Sequence, residues 1–309
     1  MRYEKIILVT RKTRLEGLIE RFNTRGQARF YVEHSGGDFD RFEVEHDTYH
    51  RSLAQLRQAL QVMARLHEIE RQFLPNFIFS ATDLVVAIGI DGLVVNTAKY
   101  LSGQPLIAVN PDPRHIDGVL LPFTVARAPA IVQQALRGQM RVRQVAMARA
   151  QLNDGQHLLA FNDLFIGARS HVSARYLLSS QDRREHHSSS GIIVSTGAGA
   201  TGWLSSLFNM AQGMADVFAQ PAGPWARPSL TWEDERLIYV VREPFISKTS
   251  TASLVTGAIT RDAPLVIESE MPEAGVIFSD GVESDFLSFN AGAIATIGLA
   301  EQKTQLVVG

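Results

Sequence analysis

From Lys5 to Val109 the chain alternates short β-branched runs with stretches of helical periodicity, and that alternation leaves few folds open. The run Lys5 to Thr10 (KIILVT) is apolar at consecutive positions, as a strand buried on both faces must be. Residues 14–22 then place Leu15, Leu18, Ile19 and Phe22 on one helical face. Residues 28–32 read as a second strand. A helix is expected from about Thr48, with Asp47 as its N-cap and Leu53, Leu56 and Leu60 in one stripe. Residues 63–80 suit helix and strand equally. Leu84 to Ile88 (LVVAI) is another buried strand, stopped by Gly89. A helix over 94–101 ends at Ser102-Gly103, and a strand over 106–109 follows. Strands separated by helices pair in parallel, with the helices on the faces of the sheet.

The texture changes after Phe123. A helix over about 126–136 ends at Gly138, and strand-like runs then dominate. Residues 141–152 and 157–161 flank Asn153-Asp154-Gly155, a hairpin signal. Further strands are expected at 192–194, 237–241, 252–256, 264–267, 275–279 and 293–299, with one helix at about 203–217. Residues 183–190 read as a polar loop and the proline-rich 220–228 as another. The expected fold is therefore an α/β domain with a parallel sheet over 1–125, followed by a β-rich sandwich domain over 126–309.

Composition narrows the function. The 30 basic and 32 acidic residues leave a net charge of −2, so nothing draws this surface toward nucleic acid or membrane. There is no cysteine, which excludes disulfides, thiolate catalysis and cysteine-held zinc. No apolar stretch reaches the roughly 18 residues of a membrane span, and Met1-Arg2-Tyr3 leads into a strand without a signal-like segment. A soluble, cytoplasmic protein is expected. The nine histidines, His186-His187 among them, show no ligand spacing on the expected elements, so no metal held by side chains is expected.

Four segments are candidates for chemistry. Gly89-Ile90-Asp91-Gly92-Leu93 lies between a buried strand and a helix, where glycines admit phosphate and the helix N-terminus favours anions. A carboxylate there suits a general base or a metal-associated group; as a bare structural element it caps the helix. Gly197 to Gly202 fits the dinucleotide pattern GxGxxG, but no second strand with an acidic residue follows, so a dehydrogenase is rejected. Asn162-Asp163 pairs an amide with a carboxylate, which suits a purine edge and ribose hydroxyls or an ordinary turn. Thr10-Arg11-Lys12-Thr13-Arg14 clusters three cations at a strand end, suited to a polyphosphate or to solvent.

In order, these motifs resemble those of the NAD kinase family. Gly89 to Leu93 stands for its GGDGT loop, Ala108-Val109-Asn110 for its G-x-N strand end and Asn162-Asp163 for its N-E or N-D pair. Gly191 to Trp203 stands for its S-T-rich glycine segment, and Ser279-Asp280-Gly281 for a late D-G turn. The loop from Asn110-Pro111-Asp112-Pro113 to Leu120-Leu121-Pro122, and Trp203 in place of tyrosine, are closer to the mitochondrial-type branch. The resemblance implies transfer of the γ-phosphoryl of ATP, with Mg²⁺, to the 2′-hydroxyl of the adenosine ribose of NAD, giving NADP. It implies Asp91 as the residue activating that hydroxyl. It implies nucleotide contacts from Gly89, Gly92, Arg11, Lys12, Asn110, Asn162, Asp163, Thr196, Thr201, Trp203 and Ser206, and a homo-oligomer, dimer or tetramer. Ile90 stands where the family has glycine, Leu93 where it has threonine and Ser190 where it has Asp. Two readings stand: an active NAD kinase with an unusual phosphate loop, and a non-catalytic NAD or NADP binder, sensor or decayed paralogue. Lipid kinases share a G-D-G core, but the Asn-Asp pair and the Gly191-to-Trp203 segment favour a dinucleotide.

Overall fold

A computed structural model describes residues 3–218 and 227–309. The chain forms two compact units, one of residues 1–143 with 305–309 and one of residues 144–304. In the first unit, β1 (Lys5–Thr10), β2 (Arg65–Glu70), β3 (Asp83–Ile88) and β4 (Pro105–Asn110) lie in the order β2-β1-β3-β4, all parallel. The strand Thr304–Val308 adds to β4, also in parallel, so the chain's end returns to this unit. Every residue of β3 and β4 is buried, which explains why these strands read as unbroken apolar runs rather than alternating ones.

Six α-helices are described, five of them in this unit: α1 (Arg14–Phe22), α2 (Arg25–His34), α3 (Phe39–Leu60), α4 (Asp91–Ala98) and α5 (Ala128–Leu136). Thr13 and Glu16 form a reciprocal capping box at the start of α1. Residues 28–32, expected as a strand, lie inside α2. Thr24 caps that helix through the Gln27 N–H, and Ala28 and Val32, one turn apart, bury against Leu15 and Phe39. The helix expected from Thr48 is α3, which begins nine residues earlier behind the N-cap Asp38. Its buried Tyr49, Leu53, Leu56 and Leu60 pack on the sheet. The expected boundary at 125/126 falls too early. Val132, Ala135 and Leu136 of α5 enter the same core as β1, β3 and β4, so the first unit continues to Arg143.

The second unit is the expected β-rich sandwich. One antiparallel sheet runs Arg183–Ser189, Ala174–Ser180, Leu265–Ser269, Ile294–Leu299, Ala148–Leu152, His157–Ala160. The other runs Thr256–Ile259, Leu237–Val241, Ile192–Ser195, Asp163–Ala168, Gly275–Ser279, Val282–Ser288. Inward residues of both, such as Tyr176, Ile166, Ile192, Ile277 and Ile297, share one core. The Asp154-Gly155 hairpin forms as expected. Residues 183–190, expected as a loop, are a strand whose inward positions are the polar Glu185, His187 and Ser189. Hydrogen bonds satisfy two of them: Ser189 Oγ meets Tyr176 Oη at 2.7 Å, and Glu185 Oε1 accepts from the Ser253 N–H at 2.8 Å, while the His187 ring stacks on that of Tyr176 at 5.5 Å. The strand expected over 252–256 instead occupies 256–259. The sixth helix, α6 (Trp203–Phe218), covers the outer face of the second sheet. Most of the proline-rich segment 220–228 lies outside the described residues.

Candidate functional site

The order β2-β1-β3-β4 reverses direction between β1 and β3, and ligands of open parallel sheets lodge at such a point, beyond the carboxyl ends of the strands. There β1 runs into Arg11 and β3 into Gly89. A cavity of about 820 Å³ is lined by Arg11, Arg14, Glu45, Tyr49, Ile90 and Asp112, among others. The three cations of the basic cluster are already paired. Arg11 Nη2 meets Glu45 Oε1 at 3.0 Å, Arg14 Nε meets Glu45 Oε2 at 2.5 Å, and Lys12 Nζ meets Glu20 Oε1 at 2.6 Å. Burial disfavours the Glu45 charge, yet the two arginines outweigh it and hold the carboxyl below its ordinary range. Arg11 lies over the Tyr49 ring at 4.9 Å, and its Nε is buried without a hydrogen-bond partner. Burial pushes the Tyr49 hydroxyl up to about 12, so it stays protonated at neutral pH.

Asp91 is the first residue of α4. Its carboxylate accepts from the Leu120 N–H at 2.8 Å and the Val119 N–H at 3.2 Å, which fixes its rotamer. No side chain caps α4: the N-cap is Ile90, at φ −115° and ψ 166°. That is ordinary extended backbone, so position 90 makes no conformational demand for glycine. The Ile90 side chain is 39% exposed and forms part of the cavity wall. Leu93 is fully buried; a Cβ on Gly89 would lie 2.9 Å from its Cδ2, whereas one on Gly92 would meet nothing within 4 Å. Asn110 is spent on its own loop. Its amide donates to the Ile116 carbonyl at 2.9 Å and accepts from the Asp112 N–H at 2.9 Å.

In the second unit, a single carboxylate organises the other motif. Asp280, in the left-handed region at φ 55°, accepts from the backbone N–H groups of Phe161 (3.0 Å), Asn162 (2.7 Å) and Asp163 (3.2 Å). Burial first, and then the Asp280 charge, push the Asp163 carboxyl up to about 7. Thr196 is buried and donates to the Phe161 carbonyl at 2.6 Å, while its backbone N–H reaches the Asn162 carbonyl at 2.9 Å. Asp163 and Phe165 alternate onto one face of the strand Asp163–Ala168. Trp203 stacks on Phe165 at 6.0 Å and 6°, with the Arg242 guanidinium 5.5 Å from its ring. These three side chains, with Arg169, Phe278 and Phe286, line a pocket of about 210 Å³. Thr201 and Ser206 are exposed nearby in sequence. Ser190 donates its hydroxyl to Glu243. Asp280 was marked in the sequence only as part of a turn. Its role as a clamp depends on a contact across 117 to 119 residues, which no local spacing encodes.

A further cluster escaped the sequence reading altogether. Glu16 on α1 and His46 and His50 on α3 bring ligand-type atoms within 4.8 Å of one another. The spacing i, i+4 was visible, but the helix was expected to begin only after His46.

No protein-family model and no curated protein sequence matches the chain. Solved structures do. The structure of an NAD kinase from Archaeoglobus fulgidus in complex with ATP superposes with a TM-score of 0.57 at 15% identity, covering 98% of this chain and 93% of that one. Yeast NADH kinase complexed with NADH superposes with a TM-score of 0.58 at 12% identity, covering 99% of this chain and 84% of that one. The chain therefore has the fold of these NAD(H) kinases over nearly all of its length. Among the described residues no helix is long and apolar enough to cross a membrane.

Proposed function

We propose that the chain is an ATP-dependent phosphotransferase acting on NAD or NADH. In this reading the 2′-hydroxyl oxygen of the adenosine ribose attacks the γ-phosphorus of ATP, ADP departs, and Asp91 takes the hydroxyl proton. The observation that carries it is the seat of Asp91: a carboxylate of fixed rotamer on the first turn of α4, at the switch point of a sheet with the NAD kinase fold. The uncapped N-terminus of α4 offers N–H groups and a positive dipole end to phosphate. Mg²⁺ supplies charge neutralisation when it arrives with the phosphates. The carboxylates of Asp38, Asp40 and Asp112 in the cavity wall are oxygen donors of the kind it takes. Asn162 and Asp163, with Thr201, Trp203 and Ser206 from the adjoining segment, are assigned to the dinucleotide. The aromatic stack beside a protonatable carboxyl supports that assignment.

One observation favours the second reading, a binder without turnover. Ile90 places a branched side chain in the cavity wall, and the buried Leu93 offers no hydroxyl to a phosphate. Incubation with NAD or NADH, ATP and Mg²⁺, followed by a coupled NADP(H)-specific assay, separates the two. Product supports the kinase; saturable calorimetric binding of the dinucleotide without product supports the binder; neither product nor binding overturns both. Ile90→Gly is expected to lower the ATP KM by up to about tenfold, roughly 1.4 kcal/mol. An unchanged KM would show that position 90 does not face the donor.

A further inference from the structure

We infer that Glu16, His46 and His50 form a binding site for a zinc-class divalent cation, separate from any magnesium carried by a nucleotide. Two imidazoles one turn apart on α3 face a carboxylate on α1, and their ring centroids lie 4.3 Å apart. The Glu16 Oε1 to His50 Nε2 distance is already 3.1 Å. Ligand atoms about 2.0–2.1 Å from a tetrahedral ion are roughly 3.3 Å apart, so closing a cluster within 4.8 Å needs only small side-chain rotations.

The hydrogen bonds around the cluster prepare it for a cation. The single hydroxyl proton of Thr13 goes to Glu16 Oε2 at 3.0 Å. His46 Nδ1, 2.9 Å from the Thr13 hydroxyl oxygen, must then donate to it, which leaves the Nε2 lone pair of His46 free. An outer partner that fixes the tautomer of a ligating histidine is what metal sites use to orient the ring. Glu16 Oε2 accepts from the Thr13 N–H at 2.6 Å and from the Thr13 hydroxyl, so the carboxylate is already oriented with Oε1 toward His50. Two nitrogens and one oxygen suit zinc, cobalt or nickel and disfavour magnesium or calcium, which take oxygen alone. Glu16 and His50 are each partly exposed, so the fourth position falls to water. The ion would join α1 to α3 beside Glu45 and Tyr49, which line the cavity of the first unit.

The test is direct titration of the full chain with Zn²⁺ against a chromophoric chelator, repeated with Co²⁺ followed in the visible. One zinc per chain, intense four-coordinate cobalt bands and a raised Tm are expected. His46→Ala and His50→Ala should weaken binding by more than the roughly 10–100-fold that loss of an outer partner costs. Glu16→Gln, an isosteric change, should also weaken it and guards against a histidine variant that fails to fold. His157→Ala in the second unit should bind as the parent does. No stoichiometric zinc, only weak six-coordinate cobalt bands, or binding unchanged in both His50→Ala and Glu16→Gln would overturn the inference. Neither result depends on kinase activity.

Discussion

The two glycine-containing motifs look alike in sequence and are built for opposite reasons. Around residues 197–199 the glycines are required by packing. A Cβ on Gly197 would lie 1.7 Å from the Thr231 carbonyl oxygen, and one on Gly199 would lie 2.2 Å from that of Asn162. Around residues 89–92 no comparable backbone crowding exists: Gly92 faces open space, and the neighbour of Gly89 is a flexible leucine. The loop 89–92 is thus free to answer to a ligand, while the segment 197–199 holds its own chain. Position 90 accepts isoleucine because its backbone is extended and its side chain lies in the cavity wall, whereas no side chain fits at 197 or 199.

The comparison breaks first at Asp91. If the loop 89–93 serves chemistry, Asp91→Asn should cut turnover by about 10²–10⁴-fold while leaving NAD affinity nearly unchanged. Single-turnover kinetics with calorimetry would read both, and turnover near that of the parent would remove the general-base role. Next is Gly199→Ala, expected to destabilise the second unit by about 3 kcal/mol or more, since the Asn162 carbonyl cannot yield without breaking its bond to the Thr196 N–H. A loss below about 1 kcal/mol in denaturant unfolding would show the contact to be soft. A smaller effect comes from Asp163. Its carboxyl is raised to about 7 in the fold, against about 4 in the unfolded chain, so only the folded state holds the proton between these values. Stability should be greatest below about pH 4 and fall as pH rises from about 4 to about 7, by on the order of 2 kcal/mol once the ceiling of about 4 kcal/mol set by that gap is reduced for solvent screening. Asp163→Asn should flatten that profile. The smallest effect sharpens the contrast: Gly92→Ala, in a helical turn with open space, should raise stability by up to about 1 kcal/mol.

The sequence alone determined whatever depended on neighbours along the chain. The consecutive apolar residues at the centres of β1, β3 and β4 announced a parallel sheet, because burial on both faces suppresses the polar alternation of a half-exposed strand. The change of texture after Phe123 announced the sandwich, and Asp154-Gly155 its hairpin. The motifs were legible in order, so the NAD kinase fold could be expected from residues that make up a small part of the chain. What escaped was whatever depended on partners distant in sequence. The strand Arg183–Ser189 read as a loop because its inward side chains are polar, and the groups that meet Glu185 and Ser189 inside, Ser253 N–H and Tyr176 Oη among them, are distant in sequence. The Asp280 clamp, the pairing of both Arg11 and Arg14 with Glu45, and the meeting of Glu16 with His46 and His50 are likewise long-range. Hydrophobic periodicity encodes which face of an element is buried, but not which polar group will meet it there. That pairing exists only once the elements have packed, and it decided here which charges are satisfied and which remain for a ligand.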